Sequence, residues 1–212
     1  MGLVLPTKNM KQSVVLICLF LGAVVTLLWT SSTFNTQTDP QQQMISESIH
    51  ISAPLADVFR YLGNSDHAKD WSVYVDHISV LNPDVVSDGL PGSIRRCYVN
   101  SDETGIQWDE EILRVLPDSL RTLSVYNLKG FNLTAEGLVT DQTYQQLSDG
   151  STMLSFRLHY GEHAPTLFEL IKTHLASSKI SRIFKQNLQN IKILMEEQKV
   201  GHYTEVVEQA SI

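Results

Sequence analysis

Hydrophobic and polar positions follow three successive rhythms along this chain. The first is no rhythm at all: residues 14–28 read VVLICLFLGAVVTLL without a charge, and Trp29 closes the run. At about 1.5 Å of rise per residue, residues 13–30 are close to the shortest helix that crosses a bilayer core of about 30 Å. Lys8 and Lys11 precede the run, which places residues 1–12 in the cytoplasm, Trp29 at the interface and the remainder on the non-cytoplasmic side. The rival reading is a cleaved signal sequence that leaves a secreted or periplasmic protein. Against it, the residues after Trp29 read Thr-Ser-Ser-Thr rather than an Ala-x-Ala site, and Ile17 precedes Cys18 where lipoprotein processing needs a small residue. Residues 31–43, uncharged but for Asp39, read as a flexible linker.

From Met44 a period of two takes over. Met44–Ser52 is β-branched and strand-like, and Pro54 then opens a helix whose apolar face is Val58, Phe59 and Leu62, ended at Gly63-Asn64. A second short helical stretch leads from Ser65 to Trp71. Six strand-like runs follow: 75–81, 93–99, 106–115, 120–128, 133–147 and 152–160, divided by Gly, Pro, Asn and Asp turns. Connections this short predict an antiparallel meander, since parallel neighbours need long crossovers. With the first run, about seven strands are expected.

The third rhythm is helical. Ile180, Ile183, Phe184, Asn187, Leu188, Ile191, Leu194 and Met195 fall within an arc of about 140°, and Lys179, Arg182, Lys185 and Lys192 lie opposite. Leu167, Leu170, Ile171 and Leu175 are phased differently, which predicts a kink or break near Ala176-Ser177-Ser178. The folded domain is thus expected over residues 44–198, with 199–212 as a tail.

Composition narrows the function classes. Hydrophobic residues make up 42% and charged residues 18%, ordinary for a globular protein, so disordered and collagen-like classes are set aside. The net charge is −7, and both lysines before the apolar run lie outside the domain, so the domain is more acidic still and repels phosphate backbones: no nucleic-acid partner is expected. Cys18 and Cys97 sit in such different settings that no disulfide joins them within the domain, and Cys97 reads as a small buried hydrophobe. The seven histidines show no ligand spacing, and neither a Gly-x-Ser-x-Gly elbow nor a phosphate loop is present, so no metal or cofactor is expected.

Alternation puts Trp108, Glu110 and Ile112 on one side of their strand, taken as inward. Glu110 is then a carboxylate in an apolar chamber: a ligand anchor or general base, or else the structural partner of Arg95 or Arg96 on the neighbouring strand. Those two arginines point to opposite faces, so one of them looks inward. Tyr126 offers a hydroxyl to a ligand if it lines the interior, and core packing is the alternative. His159 is read as outward. The pocket candidates are Arg96, Tyr98, Trp108, Glu110, Tyr126, Phe184 and Leu188.

The order of elements resembles the helix-grip (Bet v 1-like) arrangement of the START-like or SRPBCC superfamily, particularly its polyketide cyclase/dehydrase and lipid-transport group. Ile51-Ser-Ala-Pro-Leu-Ala-Asp-Val-Phe59, Asp70-Trp71, Gly92-Ser-Ile-Arg95-Arg96, and the spacing of Gly105, Glu110, Ile112, Arg121 and Tyr126 carry the resemblance, which spans roughly residues 44–198. It implies an α+β domain with a curved sheet around the terminal helix and a cavity for a hydrophobic small molecule or lipid. Three functions stay open: ligand binding for transfer or sensing, cyclase-like catalysis through pocket acid–base groups, and a protein-interaction groove. The lack of a catalytic constellation favours the first.

Overall fold

The computed structural model describes residues 7–30, 44–132, 134–162 and 165–209. An apolar helix, α1 (Thr7–Thr30), precedes β1 (Met44–Ile51), α2 (Leu55–Gly63), a 3-10 turn at Ser65–His67 and α3 (Ala68–Trp71). The meander follows as β2 (His77–Val80), β3 (Ile94–Tyr98), β4 (Gln107–Leu116), β5 (Leu120–Lys129), β6 (Leu138–Gln146) and β7 (Thr152–Tyr160), and α4 (Leu167–Gln209) comes after it. Among the described residues no helix is both long and apolar enough to cross a membrane. The expected anchor coincides with α1, whose side chains are described at residues 12–23 and 26; the rest of that expectation lies outside the described residues.

All seven strands form one antiparallel sheet in the order β1-β7-β6-β5-β4-β3-β2. Two register shifts interrupt the β4–β5 ladder, one between Gln107 and Asp109, opposite Asn127 at φ +52°, the other between Ile112 and Arg114. Bulges bend a strand and raise its twist, and here they fold the sheet around α4. The helix is pinned from both edges of the sheet. Lys192 donates to the His50 carbonyl and Glu196 accepts from the Ser52 amide at β1. Asn187 accepts from the Val73 amide and Asn190 donates to the Trp71 carbonyl beside α3. Gly89 lets the β2–β3 loop lie against the end of α2: it holds φ +83°, and a Cβ there would stand 2.8 Å from the Gly63 carbonyl oxygen.

The expected break in α4 is absent: the helix runs unbroken from Leu167 to Gln209, past the residue at which the domain was expected to end. Its buried stripe is continuous but changes chemistry. Leu170, Thr173, His174, Ser177, Ser181, Phe184, Leu188, Ile191 and Met195 share an arc of about 100° and pack inward or lie buried. The N-terminal half of the stripe is largely polar, so following apolar residues alone picks up the wrong face. Leu167, Phe168, Ile171 and Leu175 are exposed instead.

Two apolar clusters fill the space between sheet and helix. One joins Ile51, Val58, Leu62, Tyr144, Leu154, Phe156, Leu188, Ile191 and Met195, with Phe59, Trp71 and Phe184 packed against it. The other joins Ile45, Ala135, Leu138, Leu158 and Tyr160.

Candidate functional site

Register sorts the strand residues into an inner face, toward α4, and an outer one. On β3 and β4, Arg95 lies opposite Glu110 and Cys97 opposite Trp108, and Glu110 lies opposite Val125 of β5. Arg95, Cys97, Trp108, Glu110, Ile112, Arg121, Leu123, Gln142 and Tyr144 are therefore inward. This inner face is polar across β3–β6 and meets the apolar cluster around Phe156, Leu188 and Ile191.

Glu110 is the centre of one polar group. Its Oε2 accepts from Arg95 Nε at 3.0 Å and Nη2 at 2.9 Å, and its Oε1 accepts from Trp108 Nε1 at 2.9 Å. Arg95, 7% exposed, also donates through Nη1 to Ser65 Oγ at 3.1 Å. Burial opposes its charge, but Glu110 more than offsets this, and the guanidinium is held above its ordinary range. The structural pairing of Glu110 is thus the one realised, with Arg95 as partner. Cys97 is buried beside them, and burial pushes its thiol well up, so it is no ready nucleophile.

Arg121 is the centre of a second group. It is 3% exposed, and its Nη1 donates to Gln142 Oε1 at 3.3 Å and to the Tyr144 hydroxyl at 3.1 Å. Tyr144 in turn donates to Gln142 Oε1 at 2.9 Å. The guanidinium lies 4.6 Å from the centre of the Phe59 ring. Gly63 leaves room for it, since a Cβ there would come within 3.0 Å of Nη2. Burial pushes Arg121 below its ordinary value, and the like charge of Arg95 adds to that. Burial also lifts the Tyr144 phenol to about 12. Among the described residues Arg121 makes no ion pair, in contrast to Arg95. Its Nε, with Ser93 Oγ and Asp88 Oδ1, is buried without a hydrogen-bond partner among the described residues; native interiors rarely leave such groups unpaired. Asp88, whose charge is felt by both arginines, otherwise accepts from the Ser65 amide at 3.2 Å.

Of the residues singled out from sequence, Trp108, Glu110, Phe184 and Leu188 share the inner side. Arg96, Tyr98 and Tyr126 lie on the outer face. Arg96 forms a bidentate pair with Asp109 at 2.6 and 2.9 Å, which Asn127 joins at 2.7 Å. The Asp109 hydrogen bonds hold Arg96 up and Asp109 below the carboxylate range. Tyr126 lies opposite Asp109, and Tyr98 stacks on His77 at 4.8 Å. His159 is outward as expected, yet it is paired rather than solvated: Nε2 meets Asp141 Oδ2 at 3.1 Å and Nδ1 the Tyr160 carbonyl at 2.8 Å. Arg121, Gln142 and Tyr144 were open to discovery by period-two alternation with Leu123 and Leu138 on their strands. Ser65 opens the 3-10 turn and Asp88 lies in the β2–β3 loop, where no periodicity marks them. Among the described residues no three His, Cys, Asp or Glu side chains come together to hold a metal ion. An open cleft of about 490 Å³ lies outside Tyr144, lined by Pro54, Leu55, Ala56, Asp118, Gln145 and Gln146.

Comparison with known proteins agrees with this geometry. No curated protein matches the chain. Among solved structures, the protein XoxI from Bacillus cereus superposes with a TM-score of 0.53 at 14% identity, covering 74% of this chain and 97% of that one. The di-domain ARO/CYC StfQ from the steffimycin biosynthetic pathway gives 0.53 at 13% identity, over 74% of this chain and 51% of its own. Ara h 8.0201 gives 0.50 at 14% identity, over 70% and 96%. At these identities the likeness concerns the fold. The family profile described as "Polyketide cyclase / dehydrase and lipid transport" matches residues 42–196, most of the chain, and the protein belongs to that family.

Proposed function

We propose that the domain binds a hydrophobic small molecule carrying a polar group, held between α4 and the inner face of the sheet. The observation that carries this reading is the buried, incompletely satisfied polar set of Arg121 Nε, Ser93 Oγ and Asp88 Oδ1 beside the apolar cluster around Leu188. A mostly apolar enclosure with a few convergent polar groups is the usual make-up of a small-molecule site. Trp108, Glu110, Phe184 and Leu188 belong to it from the sequence, and Arg95, Arg121 and Tyr144 join them. Family membership supports the same class of ligand. In this reading α1 is the membrane anchor of the domain: Val14, Leu16, Phe20 and Leu21 are 54–70% exposed on it, and the domain faces the non-cytoplasmic side.

The family likeness also admits cyclase-like chemistry, for which Glu110 and Tyr144 are the acid–base groups at hand. Glu110 is engaged by Arg95 and Trp108, and Tyr144 holds its proton at neutral pH, so binding is the stronger reading. The test is native mass spectrometry of the full chain released from detergent, offered oleic acid, lysophosphatidylcholine and a hydroxylated polycyclic aromatic. A stoichiometric adduct that Arg121→Met weakens supports the proposal; a protein that stays empty with all three refutes it.

A further inference from the structure

The first two turns of α4 carry an apolar face that the domain does not cover. Leu167, Phe168, Ile171 and Leu175 are 71, 66, 41 and 49% exposed and share an arc of about 100° on the helix, some 120° round from the buried stripe. Four neighbouring apolar side chains in water are more than the scattered exposure any surface shows. Lys172 stands over the Phe168 ring at 4.5 Å, and Lys179 reaches the Tyr74 hydroxyl at 3.0 Å. Long cationic side chains thus rim the stripe, as they do where stems lie along apolar surface and heads reach upward to water.

The place of the stripe points to its partner. β1 enters the sheet at Met44, opposite His159 near the end of β7, and α4 begins a few residues after β7 ends. The Glu169 carboxylate accepts from the Glu136 amide, which ties the first turn of α4 to the β5–β6 connection at that same end of the sheet. Thr30, the last residue of α1, and Met44 are joined by residues 31–43. At 3.3–3.6 Å per residue this segment spans at most about 50 Å, and it joins the domain at Met44, the end of the sheet that bears the stripe.

We infer that the Leu167–Phe168–Ile171–Leu175 face of α4 docks on the surface of the lipid bilayer in which α1 is anchored, seating the end of the sheet at which β1 starts and β7 ends at the headgroup level. The inference rests on the anchor reading of α1. Because the domain is acidic, apolar contact rather than anionic headgroup charge drives the docking, and it requires no charged lipid.

The test places a nitroxide label on the full chain in vesicles of phosphatidylcholine, one site at a time: on native Cys18, and, in a Cys18→Ser background, on Phe168→Cys, Ile171→Cys and, as an exposed polar control further along α4, Gln189→Cys. Accessibility to oxygen against a water-soluble nickel complex reads the depth of each label. Labels at 18, 168 and 171 inside the lipid, with 189 in water, support the inference. A deep label at 18 with 168 and 171 in water overturns the docking and leaves the anchor standing. A label at 18 in water removes the anchor and the docking with it. Labels at 168 and 171 that are dry in detergent micelles as well as in vesicles, and spin-coupled between copies, assign the stripe to a protein contact and also overturn it.

Discussion

Glu110→Ala tests the inner polar cluster most sharply. The Glu110 side chain is 17% exposed and that of Arg95 is 8% exposed, and their atoms meet at 2.9 Å. Removing the carboxylate leaves the guanidinium buried with Ser65 Oγ as its remaining side-chain partner, and strips Trp108 Nε1 of its acceptor. Breaking a buried pair from one side costs about 3–5 kcal/mol, because the surviving charge stays desolvated. Residual solvent at Glu110 puts the expectation near the lower end, about 3 kcal/mol. For a domain of this size each kcal/mol moves the melting temperature by about 2–4 °C, so the variant should melt roughly 6–12 °C lower. Replacing both partners, Arg95→Met with Glu110→Leu, removes the stranded charge and should recover most of the loss, to within about 1.5 kcal/mol of the parent. Urea unfolding followed by tryptophan fluorescence, with scanning calorimetry alongside, measures both. A single variant that loses less than about 1 kcal/mol, or a double variant less stable than the single, would refute a desolvated pair.

Protonated His159 is stabilised chiefly by its hydrogen bond to Asp141, which raises its folded-state pKa above the ordinary value. Its contribution is therefore full below the unfolded pKa of about 6.5 and disappears as pH climbs through the folded value. His159→Gln should flatten the decline in stability over that interval, and an unchanged slope in pH-dependent melting would count against the pair. Gly89→Ala forces a side chain into the left-handed region and toward the Gly63 carbonyl, so denaturant melts should show a loss of roughly 1–3 kcal/mol. Ser177 is fully buried on α4 whereas Leu175 is 49% exposed: Ser177→Leu should cost about 1–3 kcal/mol by overpacking, and Leu175→Ser less than about 0.5 kcal/mol. The reverse order in thermal melts would mean that the helix is phased the other way.

Much of this architecture is written in local pattern. The meander shows because period-two alternation and Gly, Pro, Asn and Asp turns coincide, and the run 152–160 matches β7 to the residue. β6 is shorter than the strand-like run 133–147, because Gly137, at φ +66°, immediately precedes its start at Leu138. The α4 stripe was misread for a physical reason: Thr173, Ser177 and Ser181 are buried polar residues, and hydrophobic periodicity assumes that what is buried is apolar. The choice between Arg95 and Arg96 turns on register, which alternation leaves free until a neighbouring strand fixes it. Tyr126 lies outward because its side of β5 pairs with Asp109, the outward neighbour of Glu110. Alternation with Leu123 marks the side of β5 on which Arg121 stands, but the convergence of Phe59 from α2 and of Gln142 and Tyr144 from β6 on it is a long-range event with no local signature.

The central claim is that a ligand meets the arginines of the inner face and not those of the outer one. Side-chain 15Nε–1H spectra of the full chain in nanodiscs, with Arg95, Arg96 and Arg121 assigned by substitution, read this directly on addition of oleic acid. The account predicts that the Arg121 Nε–H signal moves most, Arg95 moves less, and Arg96 stays in place. Oleic acid that binds by mass while Arg121 and Arg95 stay unmoved, or that shifts Arg96 instead, contradicts it.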